Sequence, residues 1–167
     1  MRKIWFVGIA LVVAVAVLSG LTLLSSIENQ VVNNAAKNKP NQAKFHTSQI
    51  SDNDLRLMAN AVYGESRGEP FEGQVAVAAV ILNRVKSSSF PNTPSAVIFE
   101  PRAFTAVADG QIWLEPNESA SKAVRNALKG WDPTGGCTYY FNPATATSKW
   151  IWSRPQAKKI GKHIFCR

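Results

Sequence analysis

The segment GQVAVAAVILNRV, Gly73 to Val85, constrains the fold more than any other stretch, because it is apolar on every face except at Gln74, Asn83 and Arg84. A helix of this kind has no solvent side and has to be wrapped by other elements. Glu69-Pro70 just ahead of it is a usual helix-opening pair. With five Trp, three Tyr and eight Phe, 167 residues suffice for one globular domain built around that helix, and not for two.

The segment before it supplies a partner. Ser51 with Asp54 three residues later forms an Asp variant of the capping box, and Leu55, Met58, Ala59 and Val62 follow at helical spacing. Glu65 continues that stripe, seven residues after Met58 and three after Val62. Two outcomes are open. If the helix persists through Tyr63 and Gly64, the Glu65 carboxyl faces the apolar interior, and burial together with the negative end of the helix dipole raises its pKa, the condition of a general acid. If the helix stops at Tyr63, Glu65 caps a turn or pairs with Arg67.

Beyond the central helix, Thr93-Pro94 starts a short helix through Ile98, and residues 101 to 113 read as an irregular segment. Asn117 caps a helix whose Ala120, Ala123, Val124, Ala127 and Leu128 share one face, and Gly130 ends it. From Asp132 the pattern changes. DPTGG and NPATATS are turns, and CTYYF (137 to 141), KWIWS (149 to 153) and KHIFC (162 to 166) read as three strands of a small antiparallel sheet. The expected architecture is therefore α+β, a helical core closed by a small sheet near the C-terminus.

At the other end, Ile4 to Leu24 is a run of 21 residues without a charge, preceded by Arg2 and Lys3. That length spans a bilayer, and the flanking charges put the N-terminal side in the cytoplasm and the rest outside. Residues 1 to 25 read as a membrane anchor or signal peptide. Residues 26 to 49, rich in Asn, Gln, Lys and Ser, read as a flexible tether, and residues 50 to 167 as the folded domain. Of the formal net charge of +8, half lies ahead of that domain and the domain itself carries +4, from 14 Lys and Arg against 10 Asp and Glu. No stripe of Lys and Arg interleaved with aromatics marks a nucleic-acid footprint, whereas a mildly cationic surface suits anionic envelope polymers. The tether shows no apolar stripe by which to dock, so a soluble, monomeric domain is expected.

The strand-like segments carry Tyr139, Tyr140, Phe141, Trp150, Trp152 and Phe165. Core packing explains most of these, but neighbours on a strand point to opposite faces, so either Tyr139 or Tyr140 is free for a cleft. Flat C–H faces of sugar rings stack on exposed aromatics. Candidates for that role are Tyr63, Phe104, Trp113, Tyr139, Tyr140 and Trp152, with Thr105, Gln111 and Asn142 to bond hydroxyl and acetamido groups.

As a set, AVYGESRGEPFEGQVAVAAVILNRV, AFTAVADGQIW, GWDPTGG and YYFNPATATSKWIWSRP, closing on IGKHIFC, closely resemble the catalytic domain of spore cortex-lytic enzymes of the SleB type, within the wider cell-wall hydrolase family. The resemblance covers roughly residues 50 to 167. It implies a lysozyme-like or lytic-transglycosylase-like α+β fold, peptidoglycan glycan strands as substrate, a possible place in germination and Glu65 as the sole catalytic acid and base. Such enzymes often carry a separate peptidoglycan-binding domain where this sequence reads as anchor and tether.

Glycosidases generally use two carboxyls, about 5 Å apart for retention or about 6.5 to 9.5 Å for inversion. Glu69, Glu72 and Asp109 are the possible partners, although Glu69 and Glu72 suit an opening helical turn and Asp109 suits a tight turn. Without a second carboxylate, the substrate supplies the nucleophile: Glu65 protonates the glycosidic oxygen and then helps the muramoyl 6-hydroxyl attack its own C1, leaving a 1,6-anhydro end. With only His46 and His163 and no metal-ligand spacing, neither a metal nor another cofactor is expected. Two other readings compete: a non-catalytic, membrane-anchored wall-binding module, and a cysteine peptidase using Cys137 and His163. Cys137 and Cys166, an even pair in an exported domain, could form a disulfide or pack as two buried thiols.

Overall fold

The computed structural model describes residues 50–167, which lie within one unit, Phe45–Arg167. The expected anchor over 4 to 24 and tether over 26 to 49 lie outside the described residues.

Helix α1 (Asp52–Ser66) opens with both halves of the capping box in place between Ser51 and Asp54. Asp54 also accepts from Ser95 N at 3.1 Å, so the cap fastens α1 to the start of another helix. Helix α2 (Phe71–Lys86) is the apolar segment, and its residues from Gly73 to Leu82 are buried throughout. Short helix α3 (Pro94–Ile98) is capped by Thr93, and the segment after it holds α4 (Thr105–Ala108) and a 3-10 turn (Gln111–Trp113). Helix α5 (Glu118–Leu128) is capped by Asn117, whose side chain accepts from Ala120 N at 2.9 Å.

Strand β1 (Tyr139–Phe141), short helix α6 (Lys149–Trp152), β2 (Gln156–Ile160) and β3 (His163–Cys166) complete the domain. The sheet is antiparallel with order β1-β3-β2, and Tyr140 lies opposite Phe165. The main apolar core joins α1, α2, α3 and α5. A smaller core of Ala76, Val80, Cys137, Ile160 and Phe165 seals the sheet onto α2, and Tyr140 packs against both.

The α+β architecture is as expected, with two corrections in the sheet. KWIWS is not a strand: Lys149–Trp152 is a helical turn closed by Ser153, whose N–H bonds Lys149 O at 3.3 Å, and stopped by Pro155. None of its residues is buried, so no core face enforces the alternation its aromatics suggest. The second strand is Gln156–Ile160, whose first four residues are all exposed, leaving no alternating pattern to read. The bridge weighed for Cys137 and Cys166 is not formed, and both are buried free thiols. Cys137 donates to Thr134 O at 3.3 Å and packs as a small hydrophobe in the lesser core.

Candidate active site

Helix α1 does persist past Tyr63, so Glu65 occupies its last turn with the carboxyl directed inward. Arg67 lies over the Tyr63 ring, 5.7 Å from its centroid, rather than pairing with Glu65. Gly64 makes room for the partner segment: a Cβ there would stand 2.6 Å from that of Ala106. With α4 drawn this close, Ala106 N donates to Glu65 Oε1 at 2.7 Å. From the sheet, the Tyr140 hydroxyl donates to Oε2 at 3.0 Å.

Burial is the largest influence on the Glu65 pKa and pushes it up. The bonds from Ala106 and Tyr140 and the Thr105 backbone pull it down, the Asp109 charge adds to the rise, and the balance leaves the carboxyl above its ordinary value. Burial also drives the Tyr140 phenol well above its own ordinary value, and the Glu65 charge and hydrogen bond reinforce that. Tyr140 therefore remains a proton donor to Glu65 across the physiological range.

Glu65 opens into a groove of about 560 Å³, lined also by Gly64, Arg84, Thr105, Tyr140, Asn142 and the 145–148 loop. A second groove of about 700 Å³ shares Arg84, Arg102, Ala103, Tyr140 and Ser148 with the first and adds Phe90, Tyr139 and Trp150. Tyr139 is an aromatic wall in that second groove, T-stacked on Trp150 at 5.2 Å, with the Arg154 guanidinium 4.4 Å from its ring centroid. Each tyrosine of the pair thus meets a groove, and Tyr140 meets both.

Of the residues expected to contact sugar, Thr105, Tyr139, Tyr140 and Asn142 line these grooves. Asn142 also shapes its loop by accepting from Ala144 N at 2.9 Å. Five others line neither groove. Tyr63 packs on the main core and Phe104 is buried behind Tyr140. Gln111 bonds Asp109, Trp113 pairs with Phe99 on an exposed surface, and Trp152 packs edge-on against Phe141.

Sequence reasoning missed Arg84, Arg102, Ala106 and Trp150. Ala106 acts through its backbone, which no side chain announces. Arg84 did leave a signal, as a cation inside an otherwise apolar helix. It is 6% exposed, bonds Thr138 O through Nε at 2.7 Å, and stands over the rings of Phe90, Phe104 and Tyr139. Arg102 has φ 66°, the left-handed region, and is the one non-glycine residue there among those described. That conformation costs on the order of 1–2 kcal/mol in an L-residue.

The other carboxylates have structural partners. Glu69 accepts from Lys162 N at 2.9 Å and Glu72 pairs with Lys158 at 3.1 Å, so both pin the β2–β3 hairpin to the start of α2. Asp109 closes its own turn through Gln111 N at 3.1 Å. Among the described residues Glu65 is the single carboxylate lining its groove, while Glu100 lines the second. Burial raises the Cys137 thiol and lowers His163, which stacks on Tyr140. A thiol held protonated and bonded to Thr134 is a poor nucleophile, so the cysteine peptidase reading loses its support.

The chain is similar to several known proteins. The Cell Wall Hydrolase family model matches residues 68–166, beginning three residues after Glu65. A spore cortex-lytic enzyme of Bacillus cereus is 73% identical over 135 residues, covering 80% of this chain and 52% of the relative. The Bacillus subtilis spore cortex-lytic enzyme is 69% identical over 117 residues, covering 70% of this chain and 38% of the relative. The chain thus spans about half the length, or less, of these curated relatives. Among solved structures, the catalytic domain of Bacillus cereus SleB is 79% identical, with TM-score 0.68 over 71% of this chain and 92% of that one. The catalytic domain of the germination-specific lytic transglycosylase SleB from Bacillus anthracis is 77% identical, with TM-score 0.69 over 71% of this chain and 98% of that one. A family match over more than half of the sequence, joined to these identities, settles the kinship: the chain belongs to the cell wall hydrolase family.

Proposed function

We propose that residues 50 to 167 cleave the glycan strands of peptidoglycan by lytic transglycosylation, with Glu65 as the acid and base. The observation that carries this reading is a single inward carboxyl, raised in pKa by burial, bonded by Ala106 N and Tyr140 and opening into a groove that no second carboxylate lines among the described residues. Similarity to spore cortex-lytic enzymes supports the substrate class, and similarity to the lytic transglycosylase SleB of Bacillus anthracis supports the reaction type.

In this reaction Glu65 gives its proton to the glycosidic oxygen as the C1–O bond breaks. The resulting carboxylate then takes the proton of the muramoyl 6-hydroxyl as that oxygen bonds C1, closing a 1,6-anhydro ring. Glu65 ends protonated and water is not consumed. A tethered hydroxyl holds an effective-concentration advantage over water. Tyr140 and Ala106 orient the carboxyl and stabilise it in the interval when it is charged, while Tyr139 and Trp150 offer stacking faces in the second groove. The substrate places the domain outside the cytoplasmic membrane, and the relatives point to spore cortex.

Digestion of purified sacculi with mass analysis of the soluble fragments tests this. Anhydromuramoyl ends are expected, and Glu65→Gln should lower cleavage by about 10²- to 10⁴-fold while the protein stays folded. Reducing ends alone would make the enzyme a hydrolase with a directed water. Near-normal cleavage by Glu65→Gln would remove Glu65 from the chemistry.

A further inference from the structure

We propose that Arg84 and Arg102 form a carboxylate-binding subsite where the two grooves meet, a specificity element that rests on the glycan-cleavage reading above. Both residues line both grooves, together with Ser148. Arg84 is 6% exposed, a costly position for a cation; the charges of Glu100 and Glu65 favour it there but neither carboxylate bonds its nitrogens. Its faces meet Phe104 at 5.1 Å, Phe90 at 5.4 Å and Tyr139 at 5.6 Å, and its Nε is spent on Thr138 O. Its terminal N–H groups make no hydrogen bond among the described residues. The guanidinium is therefore fixed in place with donors unspent at the groove wall.

Arg102 is the second half. It is exposed, forms no ion pair or hydrogen bond among the described residues, and sits in a turn where Ala103 N bonds Glu100 O at 3.0 Å. At φ 66° a glycine would be more stable, so the guanidinium is present at the expense of the backbone. Two guanidinium groups, one buried and one exposed, match the planar fork of a carboxylate better than a neutral sugar hydroxyl. On a muramoyl glycan, carboxylates occur on the lactyl group and on the peptide attached to it.

The test uses the full chain carrying Glu65→Gln, titrated calorimetrically with muramoyl oligosaccharides that bear either the free lactyl acid or a short peptide. Each is also prepared with its carboxylates converted to methylamides. Amidation should weaken binding about tenfold or more, and the form that loses more identifies which carboxylate is read. Arg102→Gly should raise the melting temperature by a few degrees and remove most of the discrimination, whereas Arg102→Lys should keep part of it. Equal affinity for acid and amide, no binding of any form, or undiminished discrimination in Arg102→Gly would each overturn the subsite. Cleavage by the Glu65-intact chain separates the two readings. Cleavage without discrimination removes the subsite and leaves the reaction standing; discrimination without cleavage does the reverse.

Discussion

The hydroxyl of Tyr140 donates to Glu65 Oε2 at 3.0 Å, joining residues 75 apart in the sequence. This bond favours the ionised carboxyl and works against the effect of burial. Tyr140→Phe should therefore move the Glu65 titration upward, shifting the alkaline limb of the pH profile to higher pH, at a stability loss of about 1 kcal/mol. An NMR titration of Glu65 with an unmoved or lowered midpoint would contradict it.

Glu65→Gln makes a second prediction, on stability. The native pKa lies above the unfolded one, so the stability this carboxyl contributes is full below the unfolded pKa and is lost as pH rises through the native value. Glutamine does not ionise. The variant's gain over wild type should be absent in acid and should grow as pH rises through the Glu65 titration. Denaturant midpoints at several pH values would show it, and a gain that shrinks with rising pH would refute it.

Gly64→Ala separates two opposing effects. Helix propensity alone favours alanine by about 1 kcal/mol. The added Cβ would instead press on that of Ala106 at 2.6 Å, so a net loss of about 1–3 kcal/mol is expected, with reduced cleavage as α4 is pushed away from Glu65. A variant more stable than wild type would show that the close approach is not needed.

The hairpin anchors should differ in strength. The Glu69 side chain is 5% exposed and accepts from Lys162 N, whereas Glu72 and Lys158 are about half exposed. Glu69→Ala should cost about 1–2 kcal/mol, and Glu72→Ala less than about 1 kcal/mol. Both should reduce cleavage far less than Glu65→Gln. Equal losses in thermal unfolding would count against this ranking.

The helical half of the fold was legible because its signals are local: the Ser51 cap, the unbroken apolar run of α2, Thr93-Pro94, and Asn117 ahead of α5. The sheet was less so. Trp150 and Trp152 mimic strand alternation on an exposed helical turn, and β2 is too exposed to show any period. Within the site, the spacing from Met58 and Val62 set the phase of Glu65 on the condition that the helix continued, as it does, and strand alternation predicted one cleft-facing tyrosine where both meet a groove. The Ala106 amide could not, since a backbone donor is specified by chain path alone, and Arg102 stands out only through its dihedral angle.

The topology of the sheet also has a temporal meaning. Strand β1, which carries Tyr140, is an edge strand paired with β3 alone, and β3 is the latest of the three strands in the sequence. A chain emerging from the ribosome N-terminus first can complete the helix bearing Glu65 long before residues 163 to 166 exist to hold Tyr140 beside it. Until then the carboxyl lacks its second donor and the part of its enclosure that Tyr140 supplies. A nascent chain therefore holds Glu65 without its bond from Tyr140, which only the last strand of the sheet can complete.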